Sequence, residues 1–98
     1  MSEENYISLN TLCKCYSIEM SLLHDFENHG LIEVITVEES RCIHTEQIQD
    51  LEKMLHLHQD LQINAAGIDT IFNLLQHINE LKKQKQLLMN KLKVYEEI

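Results

Sequence analysis

From residue 71 onward, apolar side chains return in a heptad rhythm. The a positions read Ile71, Ile78, Lys85 and Leu92, and the d positions read Leu74, Leu81, Leu88 and Tyr95. A 3.5-residue period held over most of four repeats describes a helix that shows one continuous seam to a neighbouring helix. Asn64 can cap its start, and Gly67 in its first turns leaves room for close packing. Some 30 residues of helix extend roughly 45 Å at 1.5 Å per residue. The chain has 98 residues and no proline, so nothing interrupts such a helix and little protein remains to cover it. The seam of Ile71, Leu74, Ile78, Leu81, Leu88 and Leu92 is therefore expected to take a second copy of the chain as a homodimer. Lys85 at an a position costs stability but can set register or orientation.

The preceding residues read as short elements. Residues 1–6 look like a frayed lead-in. Ser8 can cap a first helix over residues 9–15, with Leu9, Leu12 and Cys13 on its inner face. Ser17 is a good cap for a second helix over residues 18–28, where Ile18, Leu22 and Phe26 recur every fourth residue beside Leu23. Gly30 stands where a helix end wants a left-handed residue. Two short helices joined by a tight turn form a helix-turn-helix. The β-branched run at 33–37, a turn at 38–40 and a return at 41–43 suggest a small hairpin, or wing. Thr45 can cap a third helix, with Glu46 in its first turn suiting the helix dipole. Its buried face reads Ile48, Leu51 and Leu55, flanked by Met54, Leu57 and Leu61, to about residue 62. The expected fold is mainly α: a winged helix-turn-helix domain over 1–62, then a coiled-coil dimerisation helix over 63–98.

Charge narrows the functions such a fold can serve. Residues 1–45 hold two bases against eight acids, net −6, and residues 46–98 hold six against eight, net −2. The N-terminal half should repel a phosphate backbone and attract a basic protein surface. The second helix, the one that enters the groove in DNA-binding relatives of this motif, has no Arg or Lys and carries Glu19, Asp25 and Glu27. Base readout wants Arg, Lys, Asn or Gln, and only Asn28 at the helix end qualifies. These acids are either a solvated face or a docking patch, and both readings disfavour DNA. The wing adds Glu38 and Glu39, with Arg41 expected to pair with its acidic neighbours. Asp25, Glu27, Glu33, Glu38 and Glu39 are the candidate partner-binding residues.

Catalysis and metal binding find little support. Cys13 and Cys15 stand two apart on a helix and face different ways, as do His56 and His58. Cys13 and Cys42 read as small buried apolar groups, and the six histidines as scattered surface residues. No phosphate loop, nucleophile elbow or zinc-ligand spacing occurs. The expectation is a non-enzyme without cofactor or metal. The acidic opening Met-Ser-Glu-Glu-Asn is unlike a leader, and no apolar run is long enough to span a bilayer. A cytoplasmic protein without membrane attachment is expected.

The order helix-turn-helix, hairpin, helix, coiled-coil helix resembles the MerR-type winged helix-turn-helix, and the stretch from Ile7 to Ile32 closes like it on Asn28-His29-Gly30-Leu31-Ile32. Leu61-Gln62-Ile63-Asn64-Ala65-Ala66-Gly67-Ile68, followed by Leu74, Leu75, Ile78 and Leu81, is similar to the CbpM family of chaperone modulators. That resemblance implies a partner: the J-domain of a DnaJ/CbpA-type co-chaperone, whose stimulation of Hsp70 such proteins restrain. A J-domain presents a basic helix, which an acidic surface could cover. The same layout leaves two other readings, a MerR-like transcriptional regulator binding DNA as a dimer and a coiled-coil dimer serving a larger assembly.

Overall fold

The computed structural model describes residues 5–96. β1 spans Tyr6–Ser8, α1 Leu9–Tyr16, α2 Met20–Asn28, β2 Ile35–Val37, β3 Ser40–His44, α3 Ile48–Leu61 and α4 Ala65–Glu96. The helix-turn-helix, the hairpin and the long terminal helix all stand where the sequence places them. The sheet has one more strand than expected. Tyr6, read as lead-in, starts β1, which pairs antiparallel with β3 (Tyr6 opposite His44, Ser8 opposite Cys42) and gives the order β1-β3-β2. Three residues are too few for an alternation pattern to announce a strand. It is the pairing that makes one.

Caps explain the boundaries. Ser8 opens α1 as expected, its Oγ accepting the Thr11 N–H at 3.1 Å. Ser17 does not open α2. It closes α1 in the left-handed conformation, φ 55°, and Glu19 takes the N-cap of α2 without a side-chain cap bond. One residue cannot be left-handed for the first helix and extended for the second, so α2 begins two residues late. At its other end Gly30 is left-handed, φ 72°. The Gly30 and Leu31 N–H groups donate to the Glu27 and Phe26 carbonyls, both at 2.9 Å, the bond pair of a Schellman ending. Thr45 does not cap α3 either. His44 Nδ1 accepts the Glu46 N–H at 3.0 Å and a 3-10 turn, Thr45–Gln47, leads into the helix.

The α3–α4 junction follows the sequence closely. Gln62 ends α3 in the left-handed region. Asn64 Oδ1 accepts the Gly67 N–H at 2.9 Å, capping α4. A Cβ at position 67 would come within 2.7 Å of Ile63 Cγ2, which is the close packing the glycine permits.

The core lies under the helix-turn-helix. Leu9 and Leu12 of α1, Leu23 and Phe26 of α2, Ile32, Ile43 of β3, Leu51, Met54 and Leu55 of α3, and Ala65 and Ile68 of α4 form one buried cluster. Leu61, expected on the inner face of α3, is exposed, because α3 stops there and the chain turns away. Cys42 is buried and Cys13 half-buried, while Cys15 is exposed. Beyond Phe72 every described residue of α4 is exposed, and the molecule measures 61 × 36 × 20 Å.

Two features give testable stabilities. The β2–β3 turn places Glu38 and Glu39 at φ 51° and 67°, the two positive angles of a type I′ hairpin, where Asn-Gly is the unstrained choice. Glu38→Asn with Glu39→Gly should stabilise the fold by about 1 kcal/mol, read as a rise in the denaturant midpoint at unchanged slope. Tyr16 Oη donates to Glu52 Oε2 at 2.8 Å, tying α1 to α3. That bond, followed by burial, raises the Tyr16 pKa above its usual 10.0. Tyr16 thus adds stability below pH 10 that is lost as pH climbs through its folded value. Tyr16→Phe should lower Tm slightly at pH 7, and the gap to the parent should close above pH 10 in thermal melts.

Candidate protein-docking surface

α2 and the wing carry most of the expected partner-binding acids. Phe26 and Leu23 anchor α2 in the core and turn Asp25 outward, exposed on the far face. Glu27 is half-buried, and its Oε2 accepts a hydrogen bond from Arg41 Nη2 on β3. Arg41 thus pairs across the fold with α2, fourteen residues away, rather than with its wing neighbours. The pair is a charge-assisted bond between partly exposed groups, worth on the order of 1 kcal/mol or less. Its consequence is chemical: the wing's arginine, the group best placed to meet a phosphate, is already occupied by a carboxylate.

Glu38 and Glu39 crown the wing, both exposed. Glu39 and Arg41 also line a notch of about 290 Å³ with Met20, His24 and Asn10, where the wing meets the two helices. Glu39 and Arg41 therefore meet at this notch, and Arg41 links it to Glu27. Glu33 is held separately. Its N–H donates to Gln47 Oε1 at 2.8 Å, and its carbonyl accepts from Gln47 Nε2 at 3.0 Å. This double clasp fixes Glu33 to the start of α3, apart from that notch.

The ring contacts of the histidines leave no trace in the sequence pattern. His58, read as a surface residue, is half-buried. Its Nδ1 donates to the Ile63 carbonyl at 3.0 Å and its ring meets Phe26 edge-on, with centroids 6.5 Å apart. His29 Nδ1 donates to the Asp25 carbonyl at 3.0 Å, and His56 Nδ1 lies 2.6 Å from Asp60 Oδ2. The i,i+4 spacing of His56 and Asp60 was legible. The reach of His58 across a chain reversal was not.

The residues expected to form a dimer seam divide in two. Ile71 is half-buried beside the head, whereas Leu74, Ile78, Leu81, Leu88 and Leu92 are 46–63% exposed. Among the described residues, no group of three or more His, Cys, Asp or Glu could hold a metal ion, and no helix is long and apolar enough to cross a membrane.

The family model for MerR HTH family regulatory proteins matches residues 7–90, spanning β1, the helix-turn-helix, the wing, α3 and most of α4. No curated protein and no solved structure gives a significant match. With the matched stretch covering most of the chain, this protein belongs to the MerR HTH family of regulatory proteins.

Proposed function

We propose that this regulator is a CbpM-type chaperone modulator, a non-enzyme that acts as a homodimer in the cytoplasm. Its partner is the basic J-domain of a DnaJ/CbpA-type co-chaperone, which it occupies and so keeps from stimulating its chaperone. The observation that carries this reading is the state of the surface that DNA-binding members of the fold use. α2 holds no base, and the wing's Arg41 is engaged by Glu27. Duplex binding draws its affinity from cations that displace counterions, and this face offers carboxylates instead. A cationic polypeptide is its natural complement. Long-range attraction would speed encounter and fix orientation, while apolar contact supplies most of the affinity. Met20 in the wing notch and exposed Ile35 on β2 provide apolar surface beside the acids. The Asn-Ala-Ala-Gly opening of α4 adds support, since Asn64 caps, Ala65 is buried and Gly67 permits the close turn.

Isothermal titration against the J-domain of the DnaJ-like protein encoded in the same genome tests the proposal. Stoichiometric binding that weakens as salt rises is expected, and absence of heat at any salt sinks the reading. Reversing Glu38 and Glu39 to lysine should weaken binding about tenfold or more, about 1.4 kcal/mol. Reversing Asp60 and Glu96, far from the wing in sequence, should change it little, and equal effects would refute the placement. In a parallel gel-shift assay, retention of a specific duplex at physiological salt by the protein alone would favour a DNA-binding regulator instead.

A further inference from the structure

The charges are segregated along the long axis. Within residues 5–80 three bases face twelve acids, whereas residues 81–96 hold five lysines and one acid. The lysine-rich segment is the far end of α4, and every residue of it is exposed. The molecule is 61 Å long, several Debye lengths at physiological salt. Head and arm therefore each present their own sign of charge to the surroundings.

Part of this end falls outside the heptad seam. Leu87 and Val94 lie two helical turns apart on a face that the seam positions Leu81, Leu88, Leu92 and Tyr95 do not share, and they are 61% and 59% exposed. Lys83 and Lys91 stand one turn to either side of Leu87 on that face, and Lys91 also neighbours Val94. Self-association through the seam would leave these four side chains open. The cations of the arm are all lysine, and the one arginine of the chain, Arg41, is in the head. Arginine offers a planar fork that clasps a single carboxylate or phosphate, whereas lysine is a compact point charge. The set suits a diffuse negative field rather than one defined anion. A duplex would take the lysines but has no use for Leu87 and Val94, because its backbone is held through cations and polar groups.

We propose that the face formed by Lys83, Leu87, Lys91 and Val94 docks peripherally on an anionic lipid surface, the charge that a cytoplasmic leaflet presents. Leu87 and Val94 enter the boundary between headgroups and acyl chains, while the two lysines keep their ammonium groups among the phosphates. Lys82, Lys85 and Lys93 add attraction through the surface potential without needing contact. Spanning plays no part, since among the described residues no helix is long and apolar enough to cross a membrane. The same surface repels the acidic head, so the charge pattern also orients the molecule, with the arm on the lipid and the wing toward solvent. The inference does not depend on what the head binds, and it leaves the acidic face of the head accessible.

Co-sedimentation of the full chain with lipid vesicles tests this. Binding to vesicles of phosphatidylcholine and phosphatidylglycerol is expected, falling as salt rises, with none to phosphatidylcholine alone. Lys83→Glu with Lys91→Glu should weaken binding about tenfold or more, and Leu87→Gln with Val94→Gln about tenfold. Glutamine is a good helix former, and circular dichroism checks that α4 persists. Lys14→Glu with Lys53→Glu makes the same change of net charge at exposed positions of the head and should matter little. Equal loss from that head pair overturns the placement. A glutamine pair that binds like the parent shows that no side chain enters the lipid, which overturns the proposal in favour of a polyanion such as duplex DNA. Absence of binding to the anionic vesicles at low salt, or equal binding to the neutral ones, overturns it outright while leaving the J-domain reading of the head untouched.

Discussion

Everything outside the small core depends on how α3 hands the chain to α4. Three residues make the reversal. Gln62 is left-handed, the Ile63 carbonyl accepts from His58, and Asn64 caps the next helix. Directly behind them Ala65 and Ile68 enter the core beside Leu51 and Phe26. A helix of 32 residues is thus tethered to the head through its first two turns, with Phe72 marking the limit of contact. Hydrophobic burial on one side and a side-chain cap on the other fix the direction of a rod that nothing else among the described residues supports.

The head resolves a conflict between inherited geometry and its own chemistry. A helix-turn-helix with a wing presents a convex surface that fits a groove in nucleic acid. Here that surface is built from carboxylates, and the fold spends its wing arginine on an internal pair with Glu27. The arrangement also tightens the domain, because the pair joins α2 to β3. Reversing the sign of charge on an unchanged backbone leaves a surface that repels phosphate and attracts cations.

How far the sequence could be read follows from the range of each signal. The long helix, the Ser8 and Asn64 caps and the left-handed Gly30 were legible because each depends on residues within one or two turns. β1 was not, since Tyr6–Ser8 become a strand only by pairing with residues more than thirty positions away. Ser17 and Thr45 looked like N-caps by residue type, and both lost that role to neighbours whose backbone the three-dimensional path had already committed. At the candidate surface, acidic character was plain from composition. The pairing of Glu27 with Arg41 and the clasp of Gln47 on the Glu33 backbone were hidden, because residues fourteen positions apart meet only once the wing has folded.

The slender junction also makes α4 a lever. About 36 Å of α4 projects beyond Phe72, so a change of roughly 10° in how its first turns seat against the head would carry the tip about 6 Å, roughly a helical turn. Small backbone adjustments at this elbow are amplified into large displacements at the far end. The spacing between heads in any assembly built on this arm accordingly follows from its root, where a half-buried imidazole holds the carbonyl of Ile63.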